Sequence, residues 1–268
     1  MESWELHAVA RRHLMDRYDE LTERYAALPN QGRARDGYRY SVEAKRRYPR
    51  YNVVAAMLEE VERLDPDHLP DPGPLAAALV DAAETARSPL TEPPMSRVEA
   101  EAMDSERRRF SATVHTWMST TELAVDPLPY RRVLRPEESS EWRRRLESRW
   151  GLRALSWYPM LDDPVPEQVL VLREVSMWDG PGVGSVREVL HGMGRVRAVE
   201  LREYGAGYVL DVDLLSPRYT GAEGVWTDDT LDWIAFASHE GTIAFGGTLA
   251  AMLPESWPHL DEWRWTGW

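Results

Sequence analysis

The chain has 268 residues, a formal net charge of -13 and no cysteine, with 43% hydrophobic and 29% charged residues. That length and composition suit a folded chain of one large domain or two ordinary ones. They exclude disulfides, thiolate metal sites and a cysteine nucleophile, and the negative balance disfavours a general phosphate-backbone binder. The longest purely apolar runs, such as LAAALV at 75–80, cover six residues, whereas a membrane-spanning helix needs roughly 20. The opening stretch MESWELHAVARRHL lacks the apolar core of a secretory signal. A cytoplasmic location and no membrane association are therefore expected. Lys45 is the single lysine, and its setting VEAKRRY matches neither a Schiff-base site nor a phosphate loop. The arginine bias is that of a GC-rich bacterial genome.

In chain order, the first half reads as helical. Trp4, Leu14, Tyr18, Leu21, Tyr25 and Leu28 recur mostly at spacings of three and four, and Pro29-Asn30 then stops the helix. Asn52 is expected to cap a second helix carrying Val53, Val54, Met57, Leu58, Val61 and Leu64. The run DPGPLAAALVDAAETAR predicts a third, and Ser96 with Glu99 forms a capping-box pattern ahead of a fourth. After Asp126 three prolines punctuate a connector, and a short helix is expected over 137–150 with Gly151 as its stop. Strand signals then dominate: VLVLREV, RVRAVELREY, GYVLDVDLL, DWIAFA and TIAFG. Consecutive strands without long intervening helices predict a mainly antiparallel sheet. The fold class is thus α+β, with a helical region at 1–125, a connector and short helix at 126–150, and a sheet-bearing α+β region at 151–268, as two domains or one continuous one. The acidity follows the same division: 151–268 holds 8 arginines against 18 acids, whereas 1–150 holds 24 basic residues against 27 acids.

Several stretches could carry function. Ser238, His239 and Glu240 lead into Gly241 between two apolar runs, which predicts a β-hairpin turn with glycine at a positive-φ position. The competing reading makes His239 a general base and Glu240 its support or a ligand. The span 33–51 holds seven cations, two acids and four tyrosines. There Arg46, Arg47 and Arg50 with Tyr48 and Tyr51 could grip phosphates or stack on bases. The reading favoured here packs the tyrosines and pairs the arginines with the acidic C-terminal part or a protein partner. Asp211 and Asp213 would share one face of a strand, and with loop acids could hold a divalent metal; a solvated strand face is the plainer reading. The seven histidines show no HExxH or similar ligand spacing. The stretch WDGPGVGSVREVLHG at 178–192 has neither the phosphate-loop lysine nor the third glycine of a dinucleotide fingerprint. Twelve tryptophans include four in the last dozen residues, WPHLDEWRWTGW, which are expected to dock on the body of the protein or on a partner.

No motif implies a cofactor. The reading adopted is a protein-interaction protein whose basic partner meets an acidic, Trp-rich C-terminal surface formed by Asp228, Asp229, Asp232, Trp233, Trp263 and Trp265, with nucleic acid disfavoured. The acidic, cysteine-free, Trp-rich α+β character resembles that of bacterial immunity proteins, which neutralise toxins by binding; the likeness is one of composition. The alternative is a hydrolase or metal-dependent enzyme built on the His239/Glu240 loop and nearby aspartates.

Overall fold

A computed structural model describes every residue except 29–32, 35–36, 39–40, 121–122, 160–167, 179–180 and 268, and gives only the backbone of 33–34 and 37–38. The chain is α+β, and it divides into two units, Met1–Leu128 and Pro129–Trp268.

The first unit is helical. It contains α1 (Ser3–Ala26), a minimal antiparallel pair of β1 (Arg33–Ala34) and β2 (Gly37–Tyr38), then α2 (Val42–Val61), α3 (Pro72–Thr85) and α4 (Arg97–Met118). Leu6, Ala10, Leu14 and Leu21 of α1 meet Val54, Met57 and Val61 of α2, Leu75 and Leu79 of α3, and Phe110 and Val114 of α4 in one core. The helix expected to be capped by Asn52 is capped eleven positions earlier. Ser41 is its cap, accepting from the Ala44 amide at 3.0 Å, and Asn52 lies mid-helix with its amide donating to the Tyr48 carbonyl at 2.7 Å. The helix runs through Pro49, which is buried; tertiary packing outweighs the one backbone bond that a proline removes. α4 starts as expected at Ser96, whose hydroxyl accepts from the Glu99 amide at 3.3 Å. The Glu99 carboxylate, however, reaches the Met95 amide at 2.7 Å, so the reciprocal half of the box goes to the neighbouring residue. The helix stop expected at Pro29-Asn30 lies outside the described residues.

The second unit holds a seven-stranded antiparallel sheet. Its strands are β3 (Arg131–Val133), β4 (Val169–Arg173), β5 (Arg197–Arg202), β6 (Tyr208–Asp211), β7 (Gly224–Thr227), β8 (Trp233–Ser238) and β9 (Thr242–Gly247), in the spatial order β3-β6-β5-β7-β8-β9-β4. Three helices accompany it: α5 (Pro136–Trp150), α6 (Gly182–Gly192) and α7 (Thr248–Ser256). Gly151 ends α5 at φ 74°, the left-handed stop expected of it. One sheet face packs Leu172, Trp233, Ala235, Ile243 and Phe245 against Val186, Val189 and Leu190 of α6 and Leu249 and Leu253 of α7. The other packs Val225, Ile234, Phe236 and Ala244 against Leu146 and Trp150 of α5 and Trp157 beyond it. With both faces covered, β8 and β9 are buried at every position, which is why they read as near-continuous apolar runs.

Two features depart from the sequence expectations. Within the span read as a connector, residues 131–133 form the edge strand β3, paired with β6. The stretch GYVLDVDLL does not continue as one strand: β6 ends at Asp211, and Val212–Leu214 turn into a 3-10 helix. The C-terminal segment docks on β4, where the Trp265 amide donates to the Val171 carbonyl at 3.1 Å and Arg173 stacks on the Trp263 ring at 5.5 Å. Trp257 is fully packed in the core.

Candidate functional site: the hairpin end of the sheet

β8 and β9 form the expected hairpin, with Ser238 opposite Thr242 and Gly241 at φ 72° in the link. The register of the neighbouring pair decides what meets this turn. Gly224 of β7 stands opposite Ala237 of β8, so the preceding residue, Glu223, reaches the hairpin end. Its carboxylate is buried, at 6% exposure. One of its oxygens accepts from His239 Nδ1 at 2.7 Å and also from the Tyr158 hydroxyl. The imidazole is half exposed, and its Nε2 faces Glu240 Oε1 at 3.1 Å. Glu203 joins the group through its amide, which donates to the Glu223 carbonyl at 2.9 Å. Among the described residues no arginine or lysine pairs with Glu203, Glu223 or Glu240.

The electrostatics follow from this geometry. The His239 imidazole is held above its ordinary value, chiefly by the hydrogen bond to Glu223; burial opposes this, and the fields of Glu223, Glu240 and Glu203 add to it. The Tyr158 hydroxyl is pushed up to about 12, first by burial and then by the Glu223 carboxylate beside it. The Glu223 carboxylate thus both favours the protonated imidazole and orients the ring through Nδ1. Ser238 is no exposed nucleophile: it is fully buried, and its hydroxyl accepts from the Glu240 amide at 3.1 Å. Around the same end stand Tyr204, 70% exposed, and Trp178, 49% exposed. Trp178 donates to Glu174 Oε1 at 2.6 Å and carries the Arg218 guanidinium on its ring face at 4.0 Å. The Glu174 amide in turn donates to the Gly241 carbonyl of the hairpin at 2.8 Å.

The aspartates lie elsewhere. Asp228, Asp229 and Asp232 occupy the β7–β8 connection, at the end of β8 opposite the hairpin. The six residues of β8 separate the two ends by roughly 20 Å. These aspartates and the His239/Glu240 loop therefore lie at opposite ends of β8. Asp228 is buried and accepts from Trp233 Nε1 at 2.7 Å and the Thr230 amide at 2.9 Å. Arg195 stands 3.3 Å from Asp228 and 2.7 Å from Asp232, so both charges are compensated inside the fold. Trp233 is likewise fully buried. Asp229 is exposed, and with Asp228, Trp142, Arg195 and Arg197 it lines a cavity of about 360 Å³.

Asp211 and Asp213 do not share a strand face. Asp211 accepts from the Tyr130 amide at 2.7 Å, and Asp213 pairs with His191 at 2.9 Å. Among the described residues no group of three or more His, Asp or Glu side chains is arranged to hold a metal ion. In the glycine-rich stretch, Gly182 is explained by packing: a Cβ there would lie 2.7 Å from both the Ser176 carbonyl and the Trp257 ring. Asp179 and Gly180 of the same stretch lie outside the described residues.

The basic stretch of the helical unit is also internally engaged. Arg50 and Arg17 clasp the buried carboxylate of Glu106, at 2.6 Å from Arg50 Nε and 2.7 Å from Arg17. Burial alone would raise the Glu106 carboxyl, but the two guanidiniums outweigh it and hold it below its usual value. Arg47 pairs with Glu43 at 2.7 Å, and Arg46 is exposed, 4.0 Å from the same acid. Tyr48 and Tyr51 pack edge-on at 5.4 Å and both meet Tyr25. Tyr48 and Tyr51 thus pack within the helical unit, and the acids that hold Arg47 and Arg50, Glu43 and Glu106, belong to the same unit. The remainder of 33–40 lies outside the described side chains.

No described helix is long and apolar enough to cross a membrane. Comparison with protein-family models, with curated proteins and with solved structures found no match.

Proposed function

We propose that this chain is a cytoplasmic binding protein that captures a basic protein partner on the hairpin end of its sheet unit. The observation that supports this reading is the acid group there: Glu203, Glu223 and Glu240 have no arginine partner among the described residues, and Glu223 and Glu240 share one imidazole. Asp228 and Asp232, by contrast, are already held by Arg195. A partner's arginine or lysine would meet the carboxylates of Glu203 and Glu240, with Tyr204 exposed beside them to supply an aromatic contact of the kind that anchors interfaces. Complementary charge of this kind speeds association and makes it sensitive to salt. Toxin immunity or phage defence in a bacterium is the setting that fits such a protein.

The test is affinity purification of the tagged chain from its source organism at low and moderate salt, beside a Glu203→Lys/Glu240→Lys variant shown to be folded. A basic protein is expected to co-elute stoichiometrically, to be lost as salt rises, and to be absent with the variant. A partner retained equally by the variant would remove this surface from consideration.

One observation favours a second reading. His239 Nδ1 on a buried carboxylate is the base-and-orienter half of a hydrolytic site. It requires a nucleophile that neither Ser238 nor the buried Thr242 presents to solvent. An activity abolished by His239→Ala in the purified chain would establish it.

A further inference from the structure

Two arginines of the sheet unit stand in one neighbourhood without an acid between them. Arg187 lies on α6, and its Nε donates to the Leu215 carbonyl at 2.8 Å. Arg218 follows three positions after Leu215 in the same loop, so this hydrogen bond brings the two side chains together. Both are half-buried, and among the described residues neither forms an ion pair. Their proximity is felt electrostatically. Burial holds the Arg187 guanidinium below its ordinary value; the Asp213 carboxylate opposes this, and the Arg218 guanidinium adds to it.

Other neighbouring arginines of this chain share a carboxylate. Arg132 and Arg135 share Glu138, and Arg17 and Arg50 share Glu106. Arg187 and Arg218 have no such acid. Asp213 pairs with His191 at 2.9 Å, and Glu174 accepts from Trp178 Nε1 at 2.6 Å and the Tyr219 amide at 2.9 Å. Arg218 is also held in place, because its guanidinium lies 4.0 Å over the Trp178 ring. A guanidinium stacked on an aromatic face keeps its edge of N–H groups for a planar, bidentate contact. The missing complement is an anion that both arginines share. A carboxylate would neutralise one of them. A phosphate group carries a charge of about -1.5 to -2 and three acceptor oxygens, enough to span two guanidiniums through charge-assisted bonds.

We propose that Arg187 and Arg218 together bind the phosphate group of a small molecule, with Trp178 holding Arg218 in position. The site takes a ligand of the opposite charge to the partner proposed above and does not rest on that reading.

The experiment titrates the full chain with phenyl phosphate, inorganic phosphate, benzoate and benzylammonium, by calorimetry and by the arginine Nε–H and indole N–H resonances. Phenyl phosphate is expected to bind at one site and to shift the signals of Arg187, Arg218 and Trp178. Benzoate should bind about tenfold more weakly, and benzylammonium should not compete. Arg187→Gln and Arg218→Gln should each weaken phenyl phosphate about tenfold, the scale of a lost charge-assisted hydrogen bond. Arg218→Lys keeps the charge without the planar fork and should weaken it severalfold. Among the described residues Arg218 makes no hydrogen bond that its replacement would break, so its variants should fold as the parent does, which thermal melting verifies. Inorganic phosphate binding as tightly as phenyl phosphate would support the site with the free ion as its ligand; tighter binding of phenyl phosphate would support it with an ester. Benzoate or benzylammonium binding as tightly as phenyl phosphate, affinity unchanged in Arg218→Gln, or no binding of either phosphate at millimolar concentration would each overturn the proposal.

Discussion

His7 shows how a single side chain ties the helical unit to pH. It is 3% exposed on α1 and its Nε2 contacts the Val61 carbonyl at 3.4 Å. Burial, reinforced by the neighbouring Arg11 guanidinium and only partly opposed by the Val61 carbonyl, lowers it from 6.5 to about 4. Above pH 6.5 the residue is neutral in both folded and unfolded chains, and its contribution to stability is complete. As pH falls toward 4, the unfolded chain takes up a proton that the folded chain refuses, so folding loses ground. Between pH 7 and pH 5 the loss should be about 2 kcal/mol. Urea unfolding at the two pH values, in the parent and in His7→Gln, measures it: the variant's stability should fall by that much less. Equal slopes would mean that another group governs acid sensitivity. The same scale shows why the hairpin site was only half legible in the sequence. His239 and Glu240 are adjacent and invite attention. Glu223 lies sixteen positions away and reaches the imidazole only through the β7–β8 register, and Tyr158 arrives from the segment after α5. No local pattern announces either.

Among the elements, legibility followed length and periodicity. The long helices were readable because their apolar positions kept one period, and the runs DWIAFA and TIAFG because they are near-continuously apolar between turn residues. β3 and β7 span three and four residues, too few to show a period, and they exist because β6, β5 and β8 offer them ladders. Asn52 misled because it is a good cap residue in front of an apolar run, yet Ser41 with the residues after it already formed the helix. The join between β9 and α7 rests on Gly247, whose φ is 66° and where a Cβ would stand 2.2 Å from the Asp232 carbonyl oxygen. That carbonyl also receives the Thr248 amide at 2.9 Å, so it cannot retreat without breaking the start of α7. Gly241 has a similar φ of 72° but nothing within 4 Å of its Cβ position. Gly241→Ala should therefore cost about 1 kcal/mol, from backbone strain alone. Gly247→Ala should cost about 3–4 kcal/mol, because overpacking adds to strain. Paired urea denaturations of the two variants measure the difference, and equal costs would show that the Asp232 carbonyl yields freely.

At the scale of the whole molecule, charge and core divide together. Each unit has its own hydrophobic cluster, and the arginines of the helical unit are largely spent on its own acids. The sheet unit carries the surplus of negative charge, and at its hairpin end the imidazole of His239 stands between the carboxylates of Glu223 and Glu240. This makes the net charge of the proposed surface a function of pH. Because the carboxylates raise the His239 pKa above 6.5, the ring is largely protonated at pH 6 and partly cancels the acids around it. Raising the pH through that elevated value removes the proton, leaves the carboxylates uncompensated and strengthens attraction for a basic ligand. A fluorescein-labelled hexa-arginine peptide should therefore bind the full chain more tightly at pH 8.5 than at pH 6, and added salt should weaken binding at both. His239→Gln removes the titrating group while keeping a side chain that can donate to Glu223. Its affinity should stay near the parent's high-pH value throughout. A parent affinity that falls with rising pH, or a variant with the parent's profile, would place peptide binding somewhere other than the hairpin end and take the proposed surface with it.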